Sequence, residues 1–393
     1  MRAVGIVAEY NPFHRGHALH LAVTKEALGR PVVAVMSGNF VQRGDLAILR
    51  KHARAKAAVL GGADLVLELP AAQALLSAEG FAQAAVGALA DTGVVDSVSY
   101  GSECGDAAAL RTLAQALLRD DFPPLLREAL ASGAPFAAAR EQALARLIGA
   151  EKASLLRTPN NILGIEYEKV CLARGLGSFT IPRIGAAHDG EAADGIASAS
   201  RIRAGLLAEE DMDIYLTEGS SAVLAEESAA GRAPVGLAAL ERAILARFRL
   251  MSEADFAPYD EGGEGLYRRF AAAAAESRSV EELLTRVKTR RYAMARLRRL
   301  LLRSFLNLPG HDSRVPYLRV LACNETGRAL LKEMRGVSSL PIITKPAEGR
   351  RLQDDARAAF AAECRCADLY ALACPDPAES AGGADWRTGP CIL

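Results

Sequence analysis

Two histidines three positions apart, His14 and His17, flank Gly16 in the run VAEYNPFHRGHALH, residues 7 to 20. Two such rings on one turn can both donate to phosphate oxygens where negative charge builds up during phosphoryl or nucleotidyl transfer. The surrounding residues suit that chemistry. Ala3 to Ala8 reads as an apolar strand, Glu9-Tyr10-Asn11-Pro12-Phe13 as the loop that ends it, and a helix opens around Gly16. Pro12 stops the strand from continuing. Gly16 has no Cβ, so a base or phosphate can approach the backbone there. The helix N-terminus adds unpaired N–H groups and partial positive charge, a ready anion site.

The elements that must hold this loop alternate in a regular way. After a helix over Ala18 to Leu28, Pro31 to Met36 is a continuous apolar run ended by Ser37-Gly38-Asn39. An unalternating run of strand length suits a parallel strand covered on both faces. A helix over Lys51 to Leu60, a strand over Ala63 to Leu69 stopped by Pro70, a helix over Phe81 to Leu89 and a strand over Ser97 to Tyr100 continue the series. This pattern predicts an α/β fold, a doubly wound parallel sheet with right-handed crossovers. Ligands in such sheets lie beyond the carboxyl ends of the strands, where the loops after Ala8, Met36, Leu69 and Tyr100 fall. Residues 106 to 150 read as two or three helices rich in Ala and Leu. Thr158-Pro159-Asn160-Asn161 caps a helix over Ile162 to Leu172, and Phe179 to Ile184 is the next strand, leading through Arg183 to His188-Asp189.

Beyond Leu206 helical periodicity takes over, interrupted at Glu261-Gly262-Gly263-Glu264-Gly265, where glycine opposes a helix. One helix is expected over Val280 to Leu306, with Met294, Leu297 and Leu301 as its buried stripe. It carries Arg286, Lys288, Arg290, Arg291, Arg296, Arg298, Arg299 and Arg303, with no acid after Glu282 and Tyr292 interleaved. Such a charge run is either a solvated face or a surface for the backbone of RNA, and its single sign in a neutral chain favours the second. Tyr317 to Ala322 and Leu340 to Thr344 read as short strands, Asn324 to Arg335 as a helix, and Pro375 to Leu393 as a mobile tail.

Composition sets the outer bounds. With 393 residues, half of them hydrophobic, the chain can bury more than one core, so two domains are expected. Lys and Arg number 47 and Asp and Glu 47, so only a local patch can speak for nucleic acid. No run of eighteen apolar residues is present, so no membrane span is expected, and the N-terminus reads as no signal peptide. Seven widely spread cysteines, an odd number, suit free thiols in a reducing cytoplasm. Cys364, Cys366, Cys374 and Cys391 match no standard zinc spacing, and no metal ligand set is expected.

The runs VAEYNPFHRGH, VMSGNFVQRGDLA, ADLVLELP, YGSECGD, PNNILGIEY and PRIGAAHD resemble those of the bacterial tRNA(Met) cytidine acetate ligases, within the HxGH nucleotidylyltransferase superfamily. The resemblance covers most of residues 1 to 345. Ser198-Ala-Ser-Arg-Ile-Arg203 is similar to the superfamily's second signature, ISSTxIR, departing from it at Ala197 and Ala199 and carrying Ser200 where Thr is usual. Hydroxyls at a helix start and a forked Arg203 can hold phosphate there.

The resemblance implies a nucleotidyltransferase-like ATP and acetate domain over 1–205, a mainly helical tRNA-binding domain over 206–374, and a tail over 375–393. It implies that acetate attacks the α-phosphate of ATP, giving acetyl-adenylate and pyrophosphate, and that N4 of the wobble cytidine of elongator tRNA(Met) then takes the acetyl group and releases AMP. His14 and His17 would be catalytic. The ATP pocket would be formed by Val7, Ala8, Glu9, Tyr10, Asn11, Pro12, Phe13, His14, Arg15, Gly16, His17, Ala18, Leu19 and His20, with Gly101, Asn160, Asn161, Arg183, Ile184, Ser200 and Arg203. Gly38, Asn39, Gln42, Arg43 and Asp45 would line the acetate and cytidine side. Arg290, Arg291, Arg298 and Arg299 would meet tRNA. Magnesium is expected on the pyrophosphate; neither a membrane nor DNA is expected as a partner. Two other readings use the same residues: an adenylyltransferase of a cofactor pathway, which needs no RNA-binding helices, and a non-catalytic RNA-binding protein, which needs no intact histidine pair.

Overall fold

The computed structural model describes residues 1–183, 196–262 and 265–393. Its strands are β1 (Ala3–Ala8), β2 (Val32–Ser37), β3 (Phe40–Val41), β4 (Asp45–Leu46), β5 (Leu65–Leu69), β6 (Val95–Ser102), β7 (Gly177–Pro182), β8 (Leu318–Cys323), β9 (Ile342–Ile343) and β10 (Cys391–Ile392). The central sheet runs β10-β8-β5-β2-β1-β6-β7, with β9 beside β8; β3 and β4 form a separate small hairpin. β1 pairs in parallel with β2 and β6, β2 with β5, and β6 with β7. The order reverses at β1, so the loops after β1, β2 and β6 open at a topological switch point, where ligands bind in such sheets.

Both faces of the sheet are covered, which is why the strand sequences lack alternation. Val33, Val35, Leu65 and Leu67 pack on one side under the helices Ala78–Asp91, with its Leu89, and Pro159–Arg174. Ile6, Ala34, Met36 and Val66 pack on the other against the helix Lys51–Leu60. A second core, with Phe248, Phe256 and Phe270 in mutual ring contact, holds the helical part together. That core also takes Phe40 and Leu46 from the small hairpin, so the two parts are packed as continuous structure. Among the described residues no helix is long and apolar enough to cross a membrane.

Four expectations need correction. The sheet draws β8 and β10 from beyond position 206, and β8 pairs antiparallel with β5, so the 1–205 segment lacks part of its own sheet. Residues 375–393 are tied down: β10 pairs with β8, and Asp385 is 4% exposed. The single helix over Val280–Leu306 is two, Val280–Val287 and Met294–Leu306. The break lets Leu283, Val287, Leu297 and Leu301 all face one core, and Lys288 Nζ donates to the carbonyls of Thr289 and Tyr292 in the turn. The helix expected from Ile162 begins at Pro159. Ile184, His188 and Asp189, with Gly263 and Glu264, lie outside the described residues.

Candidate active site

Val7 and Ala8 end β1, Glu9 to Phe13 make the connecting loop, and Arg15 to His20 form the first turns of the helix Arg15–Leu28. Tyr10 adopts a left-handed backbone, φ 44°, a strained state for a bulky residue. Its ring wedges against His17 and Phe13, each with centroids 5.0 Å away. Asn11 Oδ1 accepts from the Ile48 N–H at 2.7 Å, and the Asn11 carbonyl accepts from Arg203 Nη1 at 2.7 Å. The Phe13 carbonyl accepts from Ser220 Oγ at 2.8 Å, and Arg15 Nε donates to the Leu216 carbonyl at 3.1 Å. The segment after 206 thus clamps the histidine turn from outside.

The histidine turn is a reciprocal cap. His14 Nδ1 accepts from the Gly16 N–H at 3.1 Å, and His17 Nδ1 accepts from the His14 N–H at 3.3 Å. A neutral imidazole whose Nδ1 accepts carries its proton on Nε2. Both rings therefore carry an Nε2–H, and among the described residues neither has a hydrogen-bond acceptor. They stack with centroids 3.7 Å apart. The Gly16 position changes meaning here: a Cβ on it would come within 2.9 Å of the His14 ring, so glycine makes room for that ring, and its N–H is already used by it.

Charge at the turn also differs from a simple cation pair. Burial, then Arg183 and Arg203, push His14 down to about 4. Burial, then His14 and Arg183, hold His17 well below the usual imidazole range. Burial and Arg183 push His20 down to about 4, and His20 Nε2 lies 3.0 Å from Ser99 Oγ. The three rings are neutral at neutral pH in the free protein. The positive charge of the site belongs to arginines.

Arg183 follows β7, and a Cβ on Gly101 would touch its Cγ at 3.3 Å, so Gly101 lets that side chain cross the end of β6. Arg203, on the helix Ala199–Leu207, donates from Nη2 to Ser200 Oγ at 3.3 Å; Glu9 and Asp45 support its charge and Arg43 opposes it. Arg43 also opposes Arg183. Arg43, expected on the acetate side, therefore shares its surroundings with Arg183 and Arg203, two of the three arginines expected at ATP.

The asparagine pair does different work from a plain cap. Glu103 Oε1 accepts from the N–H and Nδ2 of Asn160, at 3.0 and 2.7 Å, and its Oε2 accepts from the Asn161 N–H at 2.6 Å. Asn161 Oδ1 in turn accepts from the N–H groups of Glu103 and Cys104. Glu103 caps the helix and Asn161 fixes the loop after β6, leaving Asn160 Oδ1 3.4 Å from Arg183 Nη1.

Asn39 is 4% exposed; its Oδ1 accepts from the Lys51 N–H and its carbonyl from the Ala47 N–H, both at 2.9 Å, so it shapes the loop from within. The Gln42 N–H donates to Glu9 Oε1 at 2.9 Å, joining the small hairpin to the loop after β1. Gly44 (φ 77°) closes that hairpin against the Met294–Leu306 helix: a Cβ would fall 2.5 Å from Arg298 Cβ.

The basic helix is only in part a free surface. Arg299 is 9% exposed and reaches Glu261 at 3.4 Å; Arg303 donates to the carbonyls of Ala72, at 2.8 Å, and Gly310. Arg296 lies 3.2 Å from Asp260, and Arg298 3.9 Å from Asp45. Arg290 and Arg291 are exposed, Arg291 over the Tyr292 ring. Arg299 thus leaves the expected RNA-facing set, because a bulky cation turned toward the core needs an internal acceptor and Glu261 supplies it.

Sequence reading missed two groups. Arg54, with no exposed surface, bonds carbonyls of the loops after β1 and β2. Lys51 and Arg319 meet Glu68, Glu363 and Asp385 in a buried network beneath Gly38, whose Cβ position lies 3.0 Å from Glu363 Oε1. Their charges sit in runs that read as ordinary helix and strand, and no local pattern marks them as buried. Among the described residues no group of three or more His, Cys, Asp or Glu forms a metal cluster.

The chain matches the HIGH Nucleotidyl Transferase family over residues 1–385. It is 35% identical, over the whole of both chains, to the tRNA(Met) cytidine acetate ligase of Acetivibrio thermocellus. It is 37% identical to the protein of the same name from Caldanaerobacter subterraneus subsp. tengcongensis, covering 95% of this chain and 96% of that one. Among solved structures, Thermotoga maritima TmcAL bound with alpha-thio ATP superposes with TM-score 0.93 at 34% identity, and its apo form with TM-score 0.95 at 33%, each over the full length of both chains.

Proposed function

This chain belongs to the HIGH Nucleotidyl Transferase family, as do its full-length relatives the tRNA(Met) cytidine acetate ligases, and from that membership we propose that it activates acetate with ATP and acetylates N4 of the wobble cytidine of elongator tRNA(Met). A carboxylate oxygen of acetate attacks the α-phosphorus and the bond to the β-phosphate breaks, so pyrophosphate leaves with the electron pair. The cytidine amine then attacks the acetyl carbon, loses a proton, and AMP departs. An acyl-adenylate held beside the amine needs no covalent protein intermediate.

The observation that carries the reading is the histidine turn, whose two Nδ1 atoms are engaged and whose two Nε2–H groups, among the described residues, have no acceptor and lie within reach of the fields of Arg183 and Arg203. Neutral donors fixed before the ligand arrives stabilise charge that grows on the α-phosphate without reorganising at that moment. Arg43, Arg183 and Arg203 bind the triphosphate, and its charge relieves the repulsion of Arg43 toward the other two. Asn160 orients Arg183, while Ser200 orients Arg203. Gly38, Gln42 and Asp45 line the acetate and cytidine side. Residues 206–374 carry the RNA surface, at Arg290, Arg291 and Arg298.

Magnesium would enter with the triphosphate and neutralise its departing oxygens. Glu9 and Asp45 are the carboxylates beside Arg203, a fit to the one or two carboxylates such an ion takes beside phosphate. The decisive assay is pyrophosphate release from ATP with acetate, with and without tRNA(Met). Acetate-dependent release and tRNA-dependent AMP formation are expected; release without acetate dependence would point instead to a small-molecule adenylyltransferase.

A further inference from the structure

Arg54 and Lys51 lie one turn apart on the helix Lys51–Leu60, and both are buried, 0% and 1% exposed. They differ in what balances their charge. Lys51 Nζ meets three carboxylates, Glu68, Glu363 and Asp385. Arg54, among the described residues, hydrogen-bonds backbone carbonyls: Leu49 from Nε at 3.0 Å, Glu9 from Nη1, and Ser37, at 3.0 Å, and Gly38 from Nη2. Glu9, Ser37 and Gly38 stand where β1 and β2 end. Their carbonyls are turned inward onto a guanidinium that has no exposed surface, so one side chain ties the ends of both strands together.

We propose that Arg54 is a positioning residue for acid activation: its buried guanidinium gathers the carbonyls after β1 and β2 and fixes the two loops in the geometry in which the reactants meet. The inference rests on the adenylation reading above and deepens it. Arg54 touches no substrate, since it has no exposed surface. It acts through Glu9, whose carboxylate fixes Gln42, and through Gly38, in the loop on the acetate side. A planar fork with five donors can hold several carbonyls in one geometry; an ammonium cannot. Burial lowers Arg54 to about 10, which leaves it charged at neutral pH. A buried cation without a bonded carboxylate is a costly way to join two loops, and its place beneath an anion site gives that cost a use.

The test is Arg54→Lys, which keeps the charge and loses the fork, assayed by acetate-dependent pyrophosphate release. A tenfold to hundredfold fall in kcat is expected, as for reacting groups shifted by about 1 Å. The KM for ATP should change less than threefold, because the triphosphate arginines lie on other elements. Gly38→Ala serves as the independent variant, since its Cβ would press on Glu363 and Glu68 and push the Gly38 carbonyl off the guanidinium; the same kcat-selective loss is expected. Folded Arg54→Lys with wild-type kcat, or with only KM changed, overturns the inference. Should Arg54→Lys fail to fold, wild-type kcat in Gly38→Ala overturns it instead. Wild-type protein that releases no pyrophosphate with acetate would overturn the adenylation reading itself, a distinct result.

Discussion

The histidine turn and the helix Met294–Leu306 are both rich in groups that carry or accept positive charge, yet the protein treats them in opposite ways. At the turn, burial and arginines keep three imidazoles neutral, and among the described residues the Nε2–H groups of His14 and His17 take no hydrogen-bond partner. On the helix, permanent cations are drawn into internal contacts: Arg299 with Glu261, Arg303 with backbone carbonyls. Arg299 and Arg303 commit their donors to the protein, whereas the histidine turn, among the described residues, holds two donors in reserve. The number of charges in a segment does not separate the two cases; the partners do.

His17→Ala should produce the largest effect, lowering pyrophosphate release by about 10² to 10³ because one preorganised donor is lost. Its Tm should also fall modestly, since the acceptor for the His14 N–H goes with the ring, so rates are compared where both proteins are folded. An unaffected rate would remove the turn from the chemistry and erase the contrast.

Next comes Arg303→Met, which leaves buried carbonyls without their donor. It should cost about 1–3 kcal/mol of stability, read as a lower Tm, with no change in the salt dependence of tRNA binding. A changed salt slope with an unchanged Tm would make Arg303 an RNA-binding residue after all.

Acid should loosen the turn. His14 and His20 bind a proton near pH 4 when folded and near 6.5 when unfolded, so the unfolded chain holds more protons between those values. Their stabilising contribution is complete above about pH 6.5 and is lost as pH falls toward 4. His20→Gln should flatten the fall of Tm across that window; an identical fall would show that other groups govern it.

The smallest effect belongs to Arg290 and Arg298. Changing both to Gln should weaken tRNA binding and lower its salt slope by about 0.7 to 0.9 for each phosphate no longer neutralised. An unchanged slope would place the RNA elsewhere on the molecule.

How far a residue's partner lies along the chain decides what the sequence reveals. The turn at His14 and His17 is legible because strand, Pro12, Gly16 and cap follow one another directly. The alternation of strands and helices from β1 to β6, and with it the parallel sheet, is legible for the same reason. Asn160 and Asn161 are readable as a cap but not as Glu103's partners, since the loop after β6 is brought to them only by the fold. The segment Thr289 to Ala293 contains neither glycine nor proline, so nothing local announces the break in the basic helix; packing of two apolar faces into one core imposes it. Cys391 and Ile392 read as part of a polar tail because a strand of two residues carries no periodicity of its own.

The buried network beneath Gly38 has a consequence for how the chain is made. Lys51 pairs with Asp385, 334 positions later in the sequence, and Arg319 shares that carboxylate. During synthesis from the N-terminus, the first strands and the histidine turn emerge long before that partner exists. Until residue 385 leaves the ribosome, Lys51 must stay hydrated or be half-matched, and the edge of β8 that β10 will cover stays open. The nucleotide-binding half is therefore translated early and completed late, and ribosome-bound chains truncated before 385 should remain susceptible to protease near Gly38 while released full-length protein resists it.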